Sequence, residues 1–162
     1  MTDRVRYAEV PADLLSREEA AGMTGLALLQ GMIEGRHAAP PMAALMGFAL
    51  TEAAEGTATF RGTPRFGHVN PMGTLHGGWY GALLDSAMGC AVMTTLPAGA
   101  GYTTLEYKVN LVRGIPLGAE VTCAAAVDHS GRSTAAARAE IRAAEGGRLH
   151  ATGSTTCLIL RP

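Results

Sequence analysis

Apolar and polar positions follow a helical period in the first part of the chain. After Ser16, apolar residues recur at helical spacing, and Glu19 stands three residues behind that serine, as in a capping box. The spacing therefore predicts one helix over about residues 16–34. The pair Pro40-Pro41 comes next, and because proline disfavours helix, we expect an extended link there.

The middle of the chain combines short strands, a loop and a long apolar helix. Residues 47–60 have the pattern of two short strands joined near Gly56. A loop over 65–75, which contains glycine and proline, leads into the apolar segment. We expect a helix of roughly two dozen residues that begins near His76 and ends before Pro97.

The second half of the chain changes to a period of two, which indicates strands. From 103 to 111 the odd positions alternate with more polar even positions, so we predict a half-buried strand there. Further β segments are expected at about 119–127, 134–143 and 149–160. This order of elements predicts an α+β domain in which an antiparallel sheet packs around a long central helix.

Composition narrows the class of protein. A chain of 162 residues fits one domain, and a net charge of -1 without a basic stripe disfavours nucleic-acid and membrane-surface binding. The three cysteines lie in apolar runs and indicate reduced, buried thiols. The five histidines show no metal-ligand spacing, so we expect no metal. The N-terminus is too charged for a signal peptide, and we expect a cytoplasmic location.

One acid stands alone in the apolar helix. Asp85 is the only Asp, Glu, Lys or Arg between Arg65 and Glu106. An ionised carboxylate among leucine, alanine and methionine is costly unless it is paired, hydrogen-bonded or exposed in a cleft. Asp85 is therefore either a site residue, a solvent-facing residue or a hydrogen-bond acceptor at a subunit contact.

The start of the same helix has the features of an anion-binding site. His76-Gly77-Gly78 stands where the first backbone N–H groups of the helix have no partners within it. The glycines permit close approach of a ligand, and an oxyanion developing from an ester or thioester carbonyl suits this position. The structural alternative is that His76 caps the helix and the glycines serve only helix packing.

Helix geometry separates these two features. Gly77 and Asp85 are eight residues apart, which corresponds to about 12 Å along a helix axis. One aspartate side chain cannot span that distance to a shared carbonyl carbon. If both act in one reaction, they come from different subunits, and the sequence then predicts an obligate dimer with two composite sites.

At this point the sequence resembles a known family. The run HVNPMGTLHGGWYGALLDSAMGCAV, followed by GYTTLEYKVNLVRGIP, is similar to the PaaI-type (phenylacetic acid degradation) hotdog-fold acyl-CoA thioesterases. The resemblance implies a hotdog domain over 47–162, in which the sheet wraps around the central helix, and an N-terminal helical extension over 1–46. It also implies an acyl-CoA substrate, no separate cofactor, and a homodimer that pairs further into a homotetramer.

The resemblance also implies roles for individual residues. The Gly77 N–H, helped by the Asn70 side chain, would polarise the thioester carbonyl, and His76 would orient the substrate or support Asn70. Asp85 of the opposing subunit would act as general base or as nucleophile, two mechanisms that sequence does not separate. Thr104 matches a serine or threonine that holds the attacking water, although threonine is also ordinary in a strand.

Substrate binding involves a second set of candidates. Coenzyme A requires cations for its phosphates, and three of the candidates are cations at strand ends or turns. Each of these is also explained as a solvated surface charge, and the aromatic candidate as core or interface. The set comprises Gly78, Trp79, Lys108, Arg113 and Arg132.

Two other functions fit the same fold. Gly67-His68-Val69-Asn70-Pro71 is faintly similar to the start of hotdog dehydratases, but Ala82 stands where those enzymes carry an acid. A non-catalytic acyl-CoA-binding module is the other alternative, and such a module would tolerate Asp85→Asn. The acyl group itself stays open, with aromatic, short-chain and medium-chain thioesters all possible.

Overall fold

The computed structural model describes residues 5–161 and contains four α-helices and six β-strands within that range. The helices are α1 (Arg17–Ala21), α2 (Gly25–Ile33), α3 (Pro41–Met46) and α4 (Gly77–Thr94). The strands are β1 (Phe48–Ala54), β2 (Thr57–Gly62), β3 (Gly101–Leu111), β4 (Val121–Ser130), β5 (Thr134–Ala143) and β6 (Leu149–Leu160).

The strands form one antiparallel sheet in the order β1-β2-β4-β5-β6-β3, and α4 packs against it. The predicted α+β class, in which a sheet surrounds a central helix, is therefore confirmed. The buried face of α4 contains the fully buried Leu83, Leu84 and Met88, which pack against buried strand residues such as Val121 and Ile141. No helix within residues 5–161 combines the length and apolarity that a bilayer crossing requires.

The predicted N-terminal helix is wrong in one respect, because the chain forms two helices where one was expected. The capping box is confirmed, since Ser16 Oγ accepts from the Glu19 N–H at 3.2 Å and Glu19 Oε2 accepts from the Ser16 N–H at 2.9 Å. A second cap follows at Thr24, whose Oγ1 accepts from the Ala27 N–H at 3.3 Å. This second capping residue begins a separate helix, which a continuous apolar period does not reveal.

The extended link predicted at Pro40-Pro41 is also wrong. Pro41 is the first residue of α3, and Pro40 precedes the helix in an extended conformation. Proline is well tolerated at a first helical position, because the N–H that it lacks has no partner there in any case. The helix ends six residues later at Gly47, which has a positive φ of 69°.

The central helix begins where the sequence predicts, with His76 as its N-cap, but it has 18 residues instead of about two dozen. At its C-terminal end, the hydroxyl groups of Thr94 and Thr95 donate hydrogen bonds to the carbonyls of Ala91 and Val92, at 2.6 and 2.8 Å. Side chains that bond to their own backbone compete with continued helix, so α4 ends before the chain reaches Pro97.

Strand β3 departs from the simple alternation predicted over 103–111. Its pairing with β6 shifts between Thr104 and Glu106, which is the mark of a β-bulge. Before the bulge, Tyr102 and Thr104 face α4, and after it Tyr107 does. Because of this one extra residue, even-numbered side chains face the helix before the bulge and odd-numbered side chains face it afterwards. The prediction of one buried face along the whole strand is therefore wrong.

Small side chains on α4 allow β3 to lie close to the helix. Gly77, Gly81 and Gly89 share a four-residue spacing with Asp85 and so lie on one helix face. A methyl group at Gly81 would lie 3.3 Å from its neighbour on β3, and one at Gly89 would overlap its neighbour. These three glycines and Asp85 form a stripe along α4. The β3 residues that face it, in order from the start of the helix to its end, are Leu111, Tyr107, Thr104 and Tyr102.

Candidate active site

Asp85 and Thr104 are brought together by the fold. Asp85 is half-buried on α4, and its Oδ1 accepts a hydrogen bond from Thr104 Oγ1 at 3.0 Å. The hydroxyl reaches the carboxyl because the bulge follows directly after Thr104 and leaves that side chain on the helix side of β3. Bulges beside functional sites commonly aim a side chain in this way. Two separate sequence candidates thus form one polar pair.

An apolar cavity of about 250 Å³ adjoins the carboxyl of Asp85. Its wall on the α4 and β3 side contains Asp85, Ser86, Cys90 and Tyr102. The strands β1 and β2 and the segment before β1 provide the remaining, mostly apolar lining. A concave, mostly apolar space with a few polar groups is the usual form of a small-molecule site.

The cavity walls stay neutral around this carboxyl. Burial, together with the nearby Asp85 charge, raises the pKa of the Cys90 thiol to about 12. Burial is also the main reason that the pKa of Tyr102 lies far above its usual value. Both groups therefore keep their protons at neutral pH, and Asp85 is the single carboxyl group among the residues that line the cavity.

At the start of α4, one backbone N–H is hydrogen-bonded by the N-cap residue and another has no acceptor within residues 5–161. His76 Nδ1 accepts from the Gly78 N–H at 2.9 Å, so His76 is an N-cap and Gly78 has no N–H left for a substrate. The Gly77 N–H, in contrast, makes no hydrogen bond to any residue in the described range 5–161. Gly77 is also exposed, so an anion from outside the protomer can reach its N–H.

Asn70 organises the loop before α4. Its Oδ1 accepts from the N–H groups of Met72 and Thr74, and its Nδ2 donates to Thr74 Oγ1 at 2.8 Å. These bonds hold the loop in a fixed shape and leave one of the two amide hydrogens of Asn70 for a substrate. His76 bonds to Gly78 and not to the Asn70 side chain among the described residues, so a direct support of Asn70 by His76 is not found.

Within one protomer, Gly77 and Asp85 remain apart. Both lie on the continuous helix α4, eight residues from each other, so that about 12 Å separates them along the axis. The Gly77 N–H is at the exposed tip, whereas Asp85 faces the cavity. A single protomer therefore does not bring the two groups to one reacting carbon.

The remaining candidates for substrate binding do not converge on the cavity. Trp79 is only 1% exposed, and its Nε1 donates to the Met46 carbonyl at 2.8 Å, so it belongs to the core. Lys108 lies along β3, and Arg132 lies in the turn between β4 and β5. Arg113 borders an open groove that also contains Gly73 and Thr74, which places it near the loop of Asn70.

Sequence reasoning missed several residues around Asp85. Tyr102, Ser86 and Cys90 line the cavity, as do residues of the N-terminal segment such as Tyr7 and Met32. The sequence does indicate that a strand packs beside Asp85, where Tyr102 lies. Glycines at a four-residue spacing around Asp85 mark the helix face that a neighbouring strand approaches. For the N-terminal segment no such signal exists, because its apolar residues have the same spacing whether they face a core or a cavity.

The chain matches the model of the thioesterase superfamily over residues 72–150. This range contains the end of the loop before α4, the helix α4 itself, and the strands β3, β4 and β5. None of the curated proteins matches it in sequence. Among solved structures, a conserved protein of Pseudomonas aeruginosa is 33% identical with a TM-score of 0.68, and the match covers 74% of this chain and 93% of that chain.

Two further structures are described as phenylacetic acid degradation proteins or related to them. A variant of the phenylacetic acid degradation protein PaaI of Thermus thermophilus is 30% identical, with a TM-score of 0.67, over 75% of this chain and 99% of that chain. A phenylacetic acid degradation-related protein of Ralstonia eutropha is 26% identical, with a TM-score of 0.72, over 80% and 98%. Thioester hydrolysis is the activity for which the family is named. On this evidence of fold, motif and similarity, the chain belongs to the PaaI-type hotdog-fold proteins of the thioesterase superfamily.

Proposed function

We propose that the protein hydrolyses acyl-CoA thioesters to the free acid and coenzyme A, with Asp85 as its catalytic carboxylate. The observation that carries the proposal is the position of Asp85, in the wall of an apolar cavity and hydrogen-bonded to Thr104. The cavity would take the acyl group, and the carboxylate would then stand next to the thioester carbon. A position of this kind suits a group that acts on water or on the carbonyl itself.

The oxyanion would be stabilised at the tip of α4 of a second protomer. The Gly77 N–H is exposed and has no acceptor among residues 5–161, and the partial positive charge of the helix start favours a developing negative charge. The free amide hydrogen of Asn70 would provide a second donor. Because Gly77 and Asp85 of one chain are far apart, the proposal requires a dimer with antiparallel α4 helices side by side.

Strand β3 supplies a surface for this dimer. Among residues 5–161 it is an edge strand that pairs with β6 alone, and it exposes apolar side chains that a monomer would leave in water. Leu105 is 57% exposed and Leu111 is 56% exposed. Two β3 strands that pair through their free edges would bury these residues and join two sheets into one. The α4 helices, which lie against β3, would then be neighbours.

Two routes complete the reaction at Asp85. As a general base, the carboxylate would accept a proton from water, the hydroxide would attack the carbonyl, and the C–S bond would break as the thiolate of coenzyme A takes up the proton. As a nucleophile, the carboxylate would displace the thiolate and form a mixed anhydride, which water then hydrolyses. Labelled oxygen in Asp85 after a single turnover in heavy-oxygen water would identify the second route, in which water attacks the Asp85 carbonyl of the anhydride and the acid leaves unlabelled.

Coenzyme A would extend along the groove that contains Arg113. This cation is exposed and shares the groove with the Asn70 loop. Lys108 lies within β3 and Arg132 in the turn between β4 and β5, and neither lines this groove. Arg113 is therefore the preferred partner for a phosphate of the substrate.

The proposal is tested with purified protein and a panel of acyl-CoA and enoyl-CoA substrates. We expect release of free thiol from saturated acyl-CoAs and no change in the absorbance of the enoyl group. Hydration of the enoyl-CoA without thiol release would instead support the dehydratase alternative. Tight binding of acyl-CoA without either reaction would support the binding module, and both outcomes contradict the proposed hydrolase.

A further inference from the structure

We infer that the N-terminal segment, residues 5–43, forms one wall of the acyl-binding cavity and determines which acyl groups the enzyme accepts. This inference rests on the proposed function, because it assigns the cavity beside Asp85 to the acyl group. The segment supplies half of the residues that line the cavity. They are Val5, Tyr7, Leu29, Met32, Ala39, Pro40, Met42 and Ala43.

The first part of this wall is fixed by backbone hydrogen bonds. The segment around Tyr7 pairs with Ala39 as a parallel bridge, since the Ala39 N–H donates to the Arg6 carbonyl at 2.7 Å and the Ala8 N–H donates to the Ala39 carbonyl at 2.9 Å. The Tyr7 hydroxyl donates to the Phe48 carbonyl at 3.3 Å. These bonds join the beginning of the segment, its end and the first strand of the sheet.

Helix α2 is fixed against the end of the central helix. The Gly25 N–H donates to the Leu96 carbonyl at 3.1 Å, and a side chain at Gly25 would overlap the Met93 backbone. A glycine is therefore needed for this close approach. The buried Leu29 and the half-buried Met32, about one helical turn apart, then line the cavity together with Asp85 and Cys90.

The matches to solved structures leave part of this chain uncovered. The matches to the Pseudomonas and Thermus structures cover nearly all of those chains but only about three quarters of this one. The covered share corresponds in size to the domain that begins at β1 and ends with β6. The uncovered quarter of this chain is similar in length to the N-terminal segment that forms the wall.

The cavity dimensions indicate the size of the acyl group. A volume of about 250 Å³ accommodates about eight carbon-sized groups, since a methylene group occupies about as much space as a water molecule, roughly 30 Å³. Medium-chain acyl groups would fill it, and acetyl would leave most of it empty. Longer chains would require the N-terminal wall to move.

The cavity chemistry indicates the polarity of the acyl group. No lysine, arginine or histidine is among the lining residues in the described range, and the one carboxyl is Asp85. A second carboxylate at the far end of an acyl chain would be buried without a cation. The enzyme should therefore prefer octanoyl-CoA to suberyl-CoA, which has the same number of carbons and a terminal carboxylate.

Two substitutions change the cavity size in opposite directions. Met32→Ala removes three side-chain atoms from the wall, and Ala43→Leu adds three atoms to it. The matched controls are the neighbouring changes Ile33→Ala and Ala44→Leu, because these half-buried residues lie in the same helices but do not line the cavity. Circular dichroism checks that each variant folds, and either cavity variant alone decides the question if the other does not fold.

The experiment measures kcat/KM for saturated acyl-CoAs from acetyl to palmitoyl. We expect an optimum near octanoyl, a shift of about two to three carbons toward longer chains in Met32→Ala, and a similar shift toward shorter chains in Ala43→Leu. The controls should keep the wild-type optimum. An unchanged optimum in an active, folded cavity variant would overturn the inference while leaving thioester hydrolysis intact.

A second readout keeps this inference separate from the proposed function. Primary alcohols from butanol to tetradecanol are neutral probes of the cavity, and calorimetry measures their binding without any reaction. If the wild-type protein hydrolyses no acyl-CoA, the proposed function fails. The wall assignment is then supported by an alcohol optimum that moves in both cavity variants, and it is overturned by an optimum that does not move.

Discussion

The two functional regions of α4 differ in what they offer a substrate. At its start, Gly77 is exposed and presents a bare backbone N–H, and the neighbouring Gly78 N–H is already bound by His76. Two turns later, Asp85 is half-buried beside an apolar cavity and bound by Thr104. The first region suits an anion that approaches from outside, and the second suits an apolar group that enters the protein.

This difference explains why one protomer does not complete the site. The distance along α4 prevents the two regions from meeting, and the stripe of glycines that allows β3 to approach Asp85 also leaves the tip of the helix uncovered. A second copy of the chain, joined at β3, would bring an exposed tip to each cavity. The following predictions test each region in turn.

The largest effect is expected from Asp85→Asn. The amide keeps the size of the side chain and can still accept from Thr104, but it cannot act as base or nucleophile. We expect kcat to fall by about a thousandfold with unchanged folding. Steady-state kinetics and thermal unfolding measure the two quantities, and the exposed Asp128→Asn is the control. Near-normal turnover of Asp85→Asn would remove Asp85 from the reaction.

A somewhat smaller loss is expected from Gly77→Pro, which deletes the backbone N–H at the tip. Proline is tolerated as the first residue of a helix, and His76 already has the extended conformation, with ψ of 136°, that a residue before proline needs. We expect kcat to fall by about a hundredfold. Gly77→Ala keeps the N–H and should retain most activity. Equal losses in both variants would indicate a steric effect and contradict the role of the N–H.

Removal of the hydroxyl beside Asp85 should have a more moderate effect. Thr104→Val keeps the shape of the side chain and loses the hydrogen bond of 3.0 Å, so we expect about a tenfold decrease in kcat. Thr104→Ser should restore activity, and Thr103→Val is the control on the exposed face of the strand. A loss that serine does not restore would show that Thr104 acts only through packing.

The last prediction concerns stability and tests the close approach of β3 to α4. In Gly89→Ala the added methyl group would overlap Tyr102, so the ring must move. We expect a loss of roughly 1–3 kcal/mol in the free energy of unfolding, measured by urea denaturation. Gly101→Ala, at the start of the same strand, adds a methyl group to open space and should cost much less. Similar losses in both variants would contradict the packing role of the glycine stripe.

Much of the fold could be predicted because the spacing of apolar residues that distinguishes helix from strand is a local property of the sequence. The long central helix, the β1–β2 pair and the three C-terminal strands are all found near their predicted positions. The errors occur where one residue changes the outcome. Thr24 begins a second helix, Pro41 begins a helix instead of preventing one, and the bulge after Thr104 exchanges the faces of β3. Such effects depend on caps and pairing partners that a periodic pattern does not contain.

The candidate site was predictable in part. Asp85 and the start of α4 were visible as a lone acid and a glycine-rich helix start, and the structure places Thr104 on Asp85. The cavity was not predictable, because its walls come from residues far apart in sequence. Trp79 shows the opposite case, in which a candidate for substrate binding proves to be core because its indole N–H is satisfied by Met46.

Mixed dimers test the shared site most directly. Two chains with different affinity tags, one carrying Asp85→Asn and the other Gly77→Pro, are produced together, and the doubly tagged dimer is purified. If each site takes its acid from one chain and its helix tip from the other, one of the two sites contains both defects and the second contains neither. We therefore expect about half of the wild-type kcat per dimer. A mixed dimer no more active than its two parents would contradict the shared site, since it would place both groups of each site in one chain.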